Sequence, residues 1–184
     1  MSKKHHKIIP RQSIPVDKQI SKPVLSDSGF RFVTAYPWLK VTGKLLKKDG
    51  FTNNLQDATQ FSKYLVALIE KTISKINQDS TNIFDDFSNR GQYPHCHYVS
   101  KDKIQLVQRI SLELHDNDFS EVTKDSDYSW WELGFNGSSR IFGIMSKSDN
   151  CFYPLFVDWH HLIYPDIKHN SNDYKNYKYD PHII

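Results

Sequence analysis

The clearest periodic pattern in the chain lies between Asp57 and Ile76. Apolar residues recur there at steps of three and four, and charged or amide side chains occupy most positions between them. That spacing places the apolar residues on one side of an α-helix, which predicts an amphipathic helix packed on a core. Asn53, Asn54 or Asp57 can cap its first turn by accepting backbone N–H bonds. The apolar positions are Phe61, Leu65, Leu68, Ile69, Ile73 and Ile76.

A second helix is predicted from Ser100, as its N-cap, to Leu114. Val107 and Ile110 are among the apolar residues available for burial on its inner side. The stretch 81–94 between the two helices is polar and rich in turn-forming residues, so it is expected to be a connection. A connection of this length can carry functional side chains.

Beyond the second helix the pattern changes to short aromatic and β-branched runs, at residues 128–135, 140–145 and 151–158. Short turns separate these runs, which predicts three strands joined as an antiparallel meander. An earlier run at 30–41 has the same composition. Its Pro37 favours an edge strand or a break, because proline cannot donate to a sheet ladder.

These elements predict a two-layer α+β fold, with an antiparallel meander sheet packed on two amphipathic helices. Both helices are expected on one face of the sheet, and the other face is expected to stay open. The domain is expected to span 26–165. Residues 1–25 are predicted to form a mobile basic arm, and 166–184 a flexible tail, because both segments lack hydrophobic periodicity.

Composition excludes several classes of protein. The 184 residues suffice for a hydrophobic core, and the net charge of +3 is too small for a nonspecific nucleic-acid coat. Apolar runs are far shorter than the roughly 20 residues of a membrane span, and the N-terminus does not read as a secretory signal. Cys96 and Cys151 are too few for a disulfide framework. A cytoplasmic protein without membrane contact is therefore expected.

Positive charge is concentrated in the first 25 residues, which hold six basic side chains and one acidic side chain. Such an arm either keeps the chain in solution or contacts the phosphates of RNA, in which case binding would weaken steeply with salt. The predicted RNA-binding residues are Lys3, Lys4, Lys7, Arg11, Lys147 and Lys168.

Titratable and cationic residues at the ends of the predicted strands form the candidate site. Metal-independent RNA cleavage needs a base for the 2′-OH, an acid for the leaving oxygen and a cation for the charged phosphorane. We assign the base and acid to His97 and to His160 or His161, and the cation to Arg140. Glu132 and Tyr164 are expected to support them. The candidate catalytic residues are therefore His97, Arg140, His160, His161, Glu132 and Tyr164, and no cofactor is expected.

Two other hypotheses use the same region. Imidazole and carboxylate are ligands for zinc or manganese, so His95, His97, Asp158 and His161 form an alternative metal site. The second alternative is a noncatalytic binding module, in which an open aromatic face of the sheet binds RNA or a protein. Its aromatic residues are Trp130, Trp131, Phe135, Phe142, Phe152, Tyr153, Phe156, Trp159 and Tyr164.

The last two strands resemble an uncharacterised group of bacterial and phage-borne proteins. In that group an Arg-x-x-Gly strand precedes a Phe-Tyr strand that ends in Asp-x-x-His-x-x-Tyr-Pro. Arg140-Ile-Phe-Gly143 and Phe152 to Asp158, followed by Trp-His-His161-Leu-Ile-Tyr-Pro165, match this pattern. His95-Cys-His97 and Phe30-Arg-Phe32 match its His-rich segment and first strand. The resemblance covers about residues 30–165 and implies a shared fold, not a reaction.

The order of elements is more remotely similar to the RelE and ParE toxin family. That resemblance implies a small sheet packed on a helical hairpin, and cleavage of messenger RNA with Arg140 and His160 or His161 in the matching positions. The chain departs from the family in its greater length and in its modest charge. The expected function is a metal-independent endoribonuclease of toxin or phage-defence type, with RNA and a cognate antitoxin or other protein as partners.

Overall fold

Five strands form an open mixed sheet in the computed structural model, which describes residues 29–42, 50–85, 91–135, 137–165 and 172–183. The strands are β1 (Arg31–Phe32), β2 (Cys96–Tyr98), β3 (Tyr128–Leu133), β4 (Arg140–Ser146) and β5 (Cys151–Asp158). Their order across the sheet is β1-β5-β4-β3-β2. Only β1 runs parallel to its neighbour, β5, and the other pairs are antiparallel.

The predicted meander is confirmed in β3, β4 and β5. Its register places Glu132 opposite Phe142 and Arg140 opposite Asp158. An irregularity interrupts the β4–β5 ladder at Gly143. A side chain there would collide with the backbone of β5, so glycine allows the two strands to approach closely. The strand expected over residues 30–41 is shorter, since only Arg31–Phe32 pairs with β5 and turns follow around Pro37.

The first predicted helix is present and longer than expected. It consists of α1 (Ala58–Ala67), a π-helical segment (Leu68–Ile73) and α2 (Ser74–Phe84), which follow one another without a break. Asp57 is the N-cap and its carboxylate accepts the N–H of Gln60 at 2.8 Å. The helix continues beyond Ile76 because Ile83 and Phe84 are buried in the core.

The second predicted helix, α3 (Ile104–His115), begins later than expected. The Ser100 carbonyl accepts the N–H groups of Lys103 and Ile104, which makes a separate turn before the helix. The Ser100 hydroxyl bonds Tyr164 instead of the helix N-terminus. Ser100 is therefore not the N-cap, because a long-range partner occupies its side chain.

Apolar side chains form two clusters, which follow alternate positions of the strands. Trp131, Leu133 and Ile141 pack with the long helix, whereas Trp130 and Phe142 pack with α3. Successive strand residues point to opposite faces, so each face of the sheet has its own helical cover. The α+β class, with a meander and amphipathic helices, is confirmed. The expectation that both helices share one face is wrong, because α3 also needs a surface on which to bury its apolar side.

The C-terminal segment contacts the domain where a flexible tail was expected. Leu55 and Tyr179 form an isolated antiparallel bridge, and the Tyr179 ring lies 6.2 Å from that of Phe61. A 3-10 helix at Asn172–Asn176 precedes this contact, and another lies at Val122–Lys124. Aromatic side chains thus dock residues 172–183 on the core. The predicted arm, 1–25, lies outside the described residues. No helix in the described ranges is long and apolar enough to cross a membrane.

Candidate active site

A buried ion pair lies at the end of the sheet where β3 leaves it and β4 begins. Arg140 Nε is 3.1 Å from Glu132 Oε1, and the two side chains are 4% and 1% exposed. Arg140 Nη1 also donates to the carbonyls of Gly137 at 2.7 Å and Ser139 at 3.0 Å. A Cβ at Gly134 would collide with Arg140, so the glycine leaves room for the guanidinium. The loop after β3 thereby fixes the cation against the carboxylate.

Burial shifts the proton affinity of this pair. It raises the pKa of Glu132 to about 8, although the positive charge of Arg140 acts in the opposite direction. Burial also lowers the pKa of Arg140, against the attraction of Glu132 and Asp158. Glu132 is therefore a carboxyl group that exchanges its proton near neutral pH.

His97 is the side chain at the surface that approaches this carboxyl. Its Nε2 lies 3.8 Å from Glu132 Oε2, and its side chain is 38% exposed. Oε2 is buried and has no hydrogen-bond partner within the described residues. The Nδ1 atom is 2.9 Å from the Tyr98 carbonyl and must donate to it, since a carbonyl oxygen only accepts. The imidazole thus has one nitrogen anchored to its own strand and one directed at Glu132.

Tyr164 lies against the edge of His97, with ring centroids 5.7 Å apart and nearly perpendicular planes. Its hydroxyl accepts the N–H of Ser100 at 2.8 Å and shares a hydrogen bond with the Ser100 hydroxyl at 3.0 Å. The phenol is therefore held by the turn before α3, and it in turn fixes the orientation of the His97 ring.

Asp158 shapes the loop that follows β5. Its fully buried carboxylate accepts the backbone N–H groups of His160 at 3.1 Å, Leu162 at 2.6 Å and Ile163 at 2.9 Å. Burial raises the pKa of Asp158 to about 6, although these hydrogen bonds act to lower it. The loop turns at His161, which has a left-handed backbone with φ of 57°. Asp158 is thus a structural anchor for the histidine segment.

The loop separates the two consecutive histidines. The His161 ring lies 6.3 Å from that of His95, at an interplanar angle of 81°. His160 has its Nε2 2.7 Å from the Asn54 carbonyl, and its ring stacks on Tyr174 at 5.8 Å. Burial lowers the pKa of both His160 and His95, and for His95 the charge of Arg140 adds to this effect. We call His95, His97 and His161 the histidine cluster.

Comparison with known proteins places this arrangement in a family. The family described as Uncharacterised protein UU032 matches residues 36–184, which include the histidine cluster and its buried ion pair. The chain belongs to the UU032 family. A relative from Ureaplasma parvum serovar 3, "Uncharacterized protein UU032", is 28% identical over 138 residues, or 72% of this chain and 70% of the relative. No solved structure matches the chain. The predicted membership of an uncharacterised bacterial family is thereby confirmed.

In this UU032 family member, most of the residues predicted for the site lie near one another. The structure brings together Glu132, Arg140, Asp158, His95, His97, His161 and Tyr164. His160 is excluded, because its ring contacts Asn54 and Tyr174. Lys147 follows the last residue of β4, so it lies about 23 Å along the strand direction from Arg140. Lys3, Lys4, Lys7, Arg11 and Lys168 lie outside the described residues.

Two placements change the roles that the sequence suggested. Arg140 is buried and its donors face loop carbonyls and Glu132, so it is not presented to a phosphate. Asp158 directs its carboxylate at three backbone N–H groups, which removes the carboxylate from the alternative metal set. In the part of the chain that the structure describes, no three His, Cys, Asp or Glu side chains are placed to hold a metal ion together.

The aromatic alternative also meets a geometric obstacle. Most of the rings proposed for an open sheet face belong to the two core clusters and are at most 3% exposed. These are Trp130, Trp131, Phe142, Phe152, Phe156 and Trp159. Helices cover both faces, so these rings are not available to stack on bases.

Gly134 and Ser100 shape the candidate site, a role that the sequence analysis did not assign to them. Gly134 makes space for Arg140 and its carbonyl accepts the Cys96 thiol at 3.2 Å, while burial raises the pKa of that thiol to about 12. Cys96 is thus a small buried residue with a protonated thiol. A glycine directly after a strand was a signal for close approach, but its partner, Arg140, lies six residues further along the chain, beyond the turn.

Proposed function

We propose that this UU032 family member is a metal-independent endoribonuclease in which His97 and His161 transfer protons. The observation that carries the proposal is the approach of His97 Nε2 to Glu132 Oε2 at 3.8 Å. Nδ1 of His97 donates to Tyr98, so in the neutral ring Nε2 carries a lone pair. A proton held between Nε2 and Oε2 makes this approach favourable, and burial raises the pKa of Glu132 to about 8.

RNA fits this chemistry because its own 2′-oxygen is the nucleophile. A base removes the 2′-OH proton while the O2′–P bond forms, and an acid protonates the 5′-oxygen as the P–O5′ bond breaks. The products are a 2′,3′-cyclic phosphate and a 5′-hydroxyl. His97 and His161 supply the two proton transfers, and His95 lies beside His161 as a further imidazole. The protein needs no nucleophile of its own.

The buried groups Arg140 and Glu132 do not contact the substrate in this mechanism, and they act by positioning the histidines. Arg140 is a positioning residue, because it holds Glu132 in place at 3.1 Å and is itself fixed by the loop. Glu132 directs its unpartnered Oε2 at the Nε2 of His97, 3.8 Å away. A protonated imidazole supplies the positive charge next to the phosphorane, which is the role first assigned to Arg140.

A toxin or phage-defence setting in the cytoplasm is part of the same proposal. It rests on the resemblance in element order to the RelE and ParE toxins, in which RNA is the substrate and a cognate antitoxin is the partner. Toxicity on expression, relieved by H97Q, tests this setting separately from the chemistry. Harmless expression of a chain that cleaves RNA in vitro would contradict the setting and leave the chemistry in place.

The direct test is incubation of purified full-length protein with mixed-sequence single-stranded RNA in EDTA, followed by analysis of the product ends. We expect 2′,3′-cyclic phosphate ends. H97Q and H161Q should each reduce the rate about 10²- to 10⁴-fold, the usual contribution of a general acid or base. H182Q is the matched control, since His182 is exposed and pairs with Asp180 at 3.2 Å, away from the cluster.

Thermal midpoints of all three variants must stay close to that of the parent chain, so that lost cleavage reflects chemistry. Cleavage only after addition of zinc or manganese would overturn the metal-independent mechanism. Equal rates in H97Q, H161Q and H182Q would remove the histidine cluster from the reaction.

A further inference from the structure

A cavity that includes none of the residues of the histidine cluster lies on the α3 side of the sheet. It measures about 280 Å³, and its border includes four aromatic side chains, Tyr36, Phe119, Tyr128 and Tyr153. Ile144 of β4 lies in its wall, four residues from Arg140 and therefore about 13 Å along the strand. The proposed endoribonuclease chemistry makes no use of this cavity.

The aromatic rings are arranged around the space and do not fill it. Tyr36 and Phe119 pack edge to face, with centroids 5.1 Å apart and an interplanar angle of 89°, so each fixes the other. Tyr128 and Tyr153 pack on no other aromatic ring within the described residues. Tyr36 and Phe119 therefore hold each other in place, Tyr128 packs against the apolar core on the α3 side, and Tyr153 is partly exposed.

Within the described ranges, the one charged side chain at the border of this cavity is a carboxylate. Asp118 lies at its border, and its Oδ1 accepts the N–H of Ser120 at 2.8 Å, which fixes the carboxylate there. This hydrogen bond lowers the pKa of Asp118, so the group is ionised at neutral pH. Of the described residues that line the cavity, none is a lysine or an arginine. Buried Leu155 and Ile144 supply an apolar wall.

We propose that this cavity binds a small organic cation whose ammonium group carries methyl substituents. Aromatic rings attract a cation through the negative charge of their faces, and a carboxylate at the border adds direct attraction. A methylated ammonium gives up little hydration on entering an apolar space, whereas a bare ammonium or a metal ion gives up much. The volume is at the lower end of ligand sites, so it suits a single headgroup.

The test is isothermal titration of the full chain with choline and with 3,3-dimethyl-1-butanol, its uncharged counterpart of the same shape. Ionic strength is balanced with sodium chloride. We expect choline to bind about tenfold more tightly than the alcohol, in line with one or two cation–π contacts. Equal affinity for both compounds, or no heat from choline at millimolar concentration, would overturn the proposal.

Two variants separate the contribution of the Asp118 charge to choline affinity from the contribution of the aromatic contacts. D118N should weaken choline binding several-fold and leave the affinity for the alcohol unchanged. D102N is the matched control, because Asp102 is an exposed carboxylate before the other end of α3. Y153L should weaken choline as well, and its circular dichroism spectrum shows whether it has folded. Choline affinity unchanged in both D118N and Y153L would place the ligand elsewhere. RNA cleavage is measured independently, so either proposal can fail alone.

Discussion

His160 and His161 are neighbours in the chain, but their rings contact different parts of the molecule. His160 bonds the Asn54 carbonyl at 2.7 Å, whereas His161 lies 6.3 Å from the ring of His95. The left-handed backbone at His161 and the hydrogen bonds to Asp158 produce this separation. One histidine therefore stabilises the fold, and the other faces the surface cluster.

Replacement of His160 by alanine should lower stability. The Asn54 carbonyl would lose its partner, and the stacking on Tyr174 would be removed. We expect a loss of about 1–3 kcal/mol, the usual cost of leaving a buried polar group unpaired. Chemical denaturation measures this change. H182A, at an exposed histidine, should stay within about 0.5 kcal/mol of the parent chain. A similar loss in both variants would contradict the structural role of His160.

Removal of Arg140 should be more damaging than removal of the whole ion pair. R140M leaves the buried carboxyl of Glu132 without its cation, which costs about 3–5 kcal/mol in comparable pairs. The double variant E132Q/R140M also removes the buried acid that has lost its partner, so we expect it to recover part of that loss. Urea denaturation of the single and double variants gives the coupling energy. Strict additivity would show that the two side chains do not act as a unit.

Stability should fall as pH rises through the titration of Glu132. Its pKa is near 4.5 in the unfolded chain and about 8 in the folded protein. Between these values the folded state binds the proton more tightly, so the free energy of unfolding decreases with increasing pH. Asp158 adds a change of the same sign between 3.8 and about 6. Histidines with lowered pKa, such as His95 and His160, act in the opposite direction.

The comparison with E132Q isolates the effect of Glu132. We expect the parent chain to lose more stability than E132Q between about pH 5 and about pH 8, because only the parent chain carries the carboxyl. Urea denaturation at several pH values measures both slopes. Parallel slopes would mean that Glu132 keeps an ordinary pKa in the folded protein.

Gly143→Ala should destabilise the sheet. A Cβ at this position would collide with the Tyr153 carbonyl and approach the Pro154 Cα to 2.9 Å, and neither backbone atom can move freely. We expect a loss of about 1–3 kcal/mol from overpacking. Gly91→Ala is the control, since nothing lies within 4 Å of its added Cβ. Thermal unfolding of both variants makes the comparison, and a smaller effect at Gly143 would contradict the close strand approach.

Local sequence patterns were sufficient to predict the elements whose hydrogen bonds join residues close together in the chain. Periodicity predicted the helix from Asp57, and of the three N-cap candidates Asp57 is the one that caps it, by accepting the N–H of Gln60. Alternation and short turns predicted the meander. Strand β2 and the parallel partner of β1 were not predicted, because each pairs with a strand more than 30 residues away in the chain. Pairing over that distance depends on the packing of everything between.

The sequence by itself determined which chemical groups gather at one end of the sheet, since Glu132, Arg140 and Asp158 end or begin adjoining strands. Only the tertiary structure decided which of them reach the surface. Hydrogen bonds to the loop carbonyls of Gly137 and Ser139 hold the guanidinium of Arg140 in the interior. A helix on each face of the sheet buries the aromatic rings. Burial depends on contacts between distant segments, and the local pattern of residues does not encode these contacts.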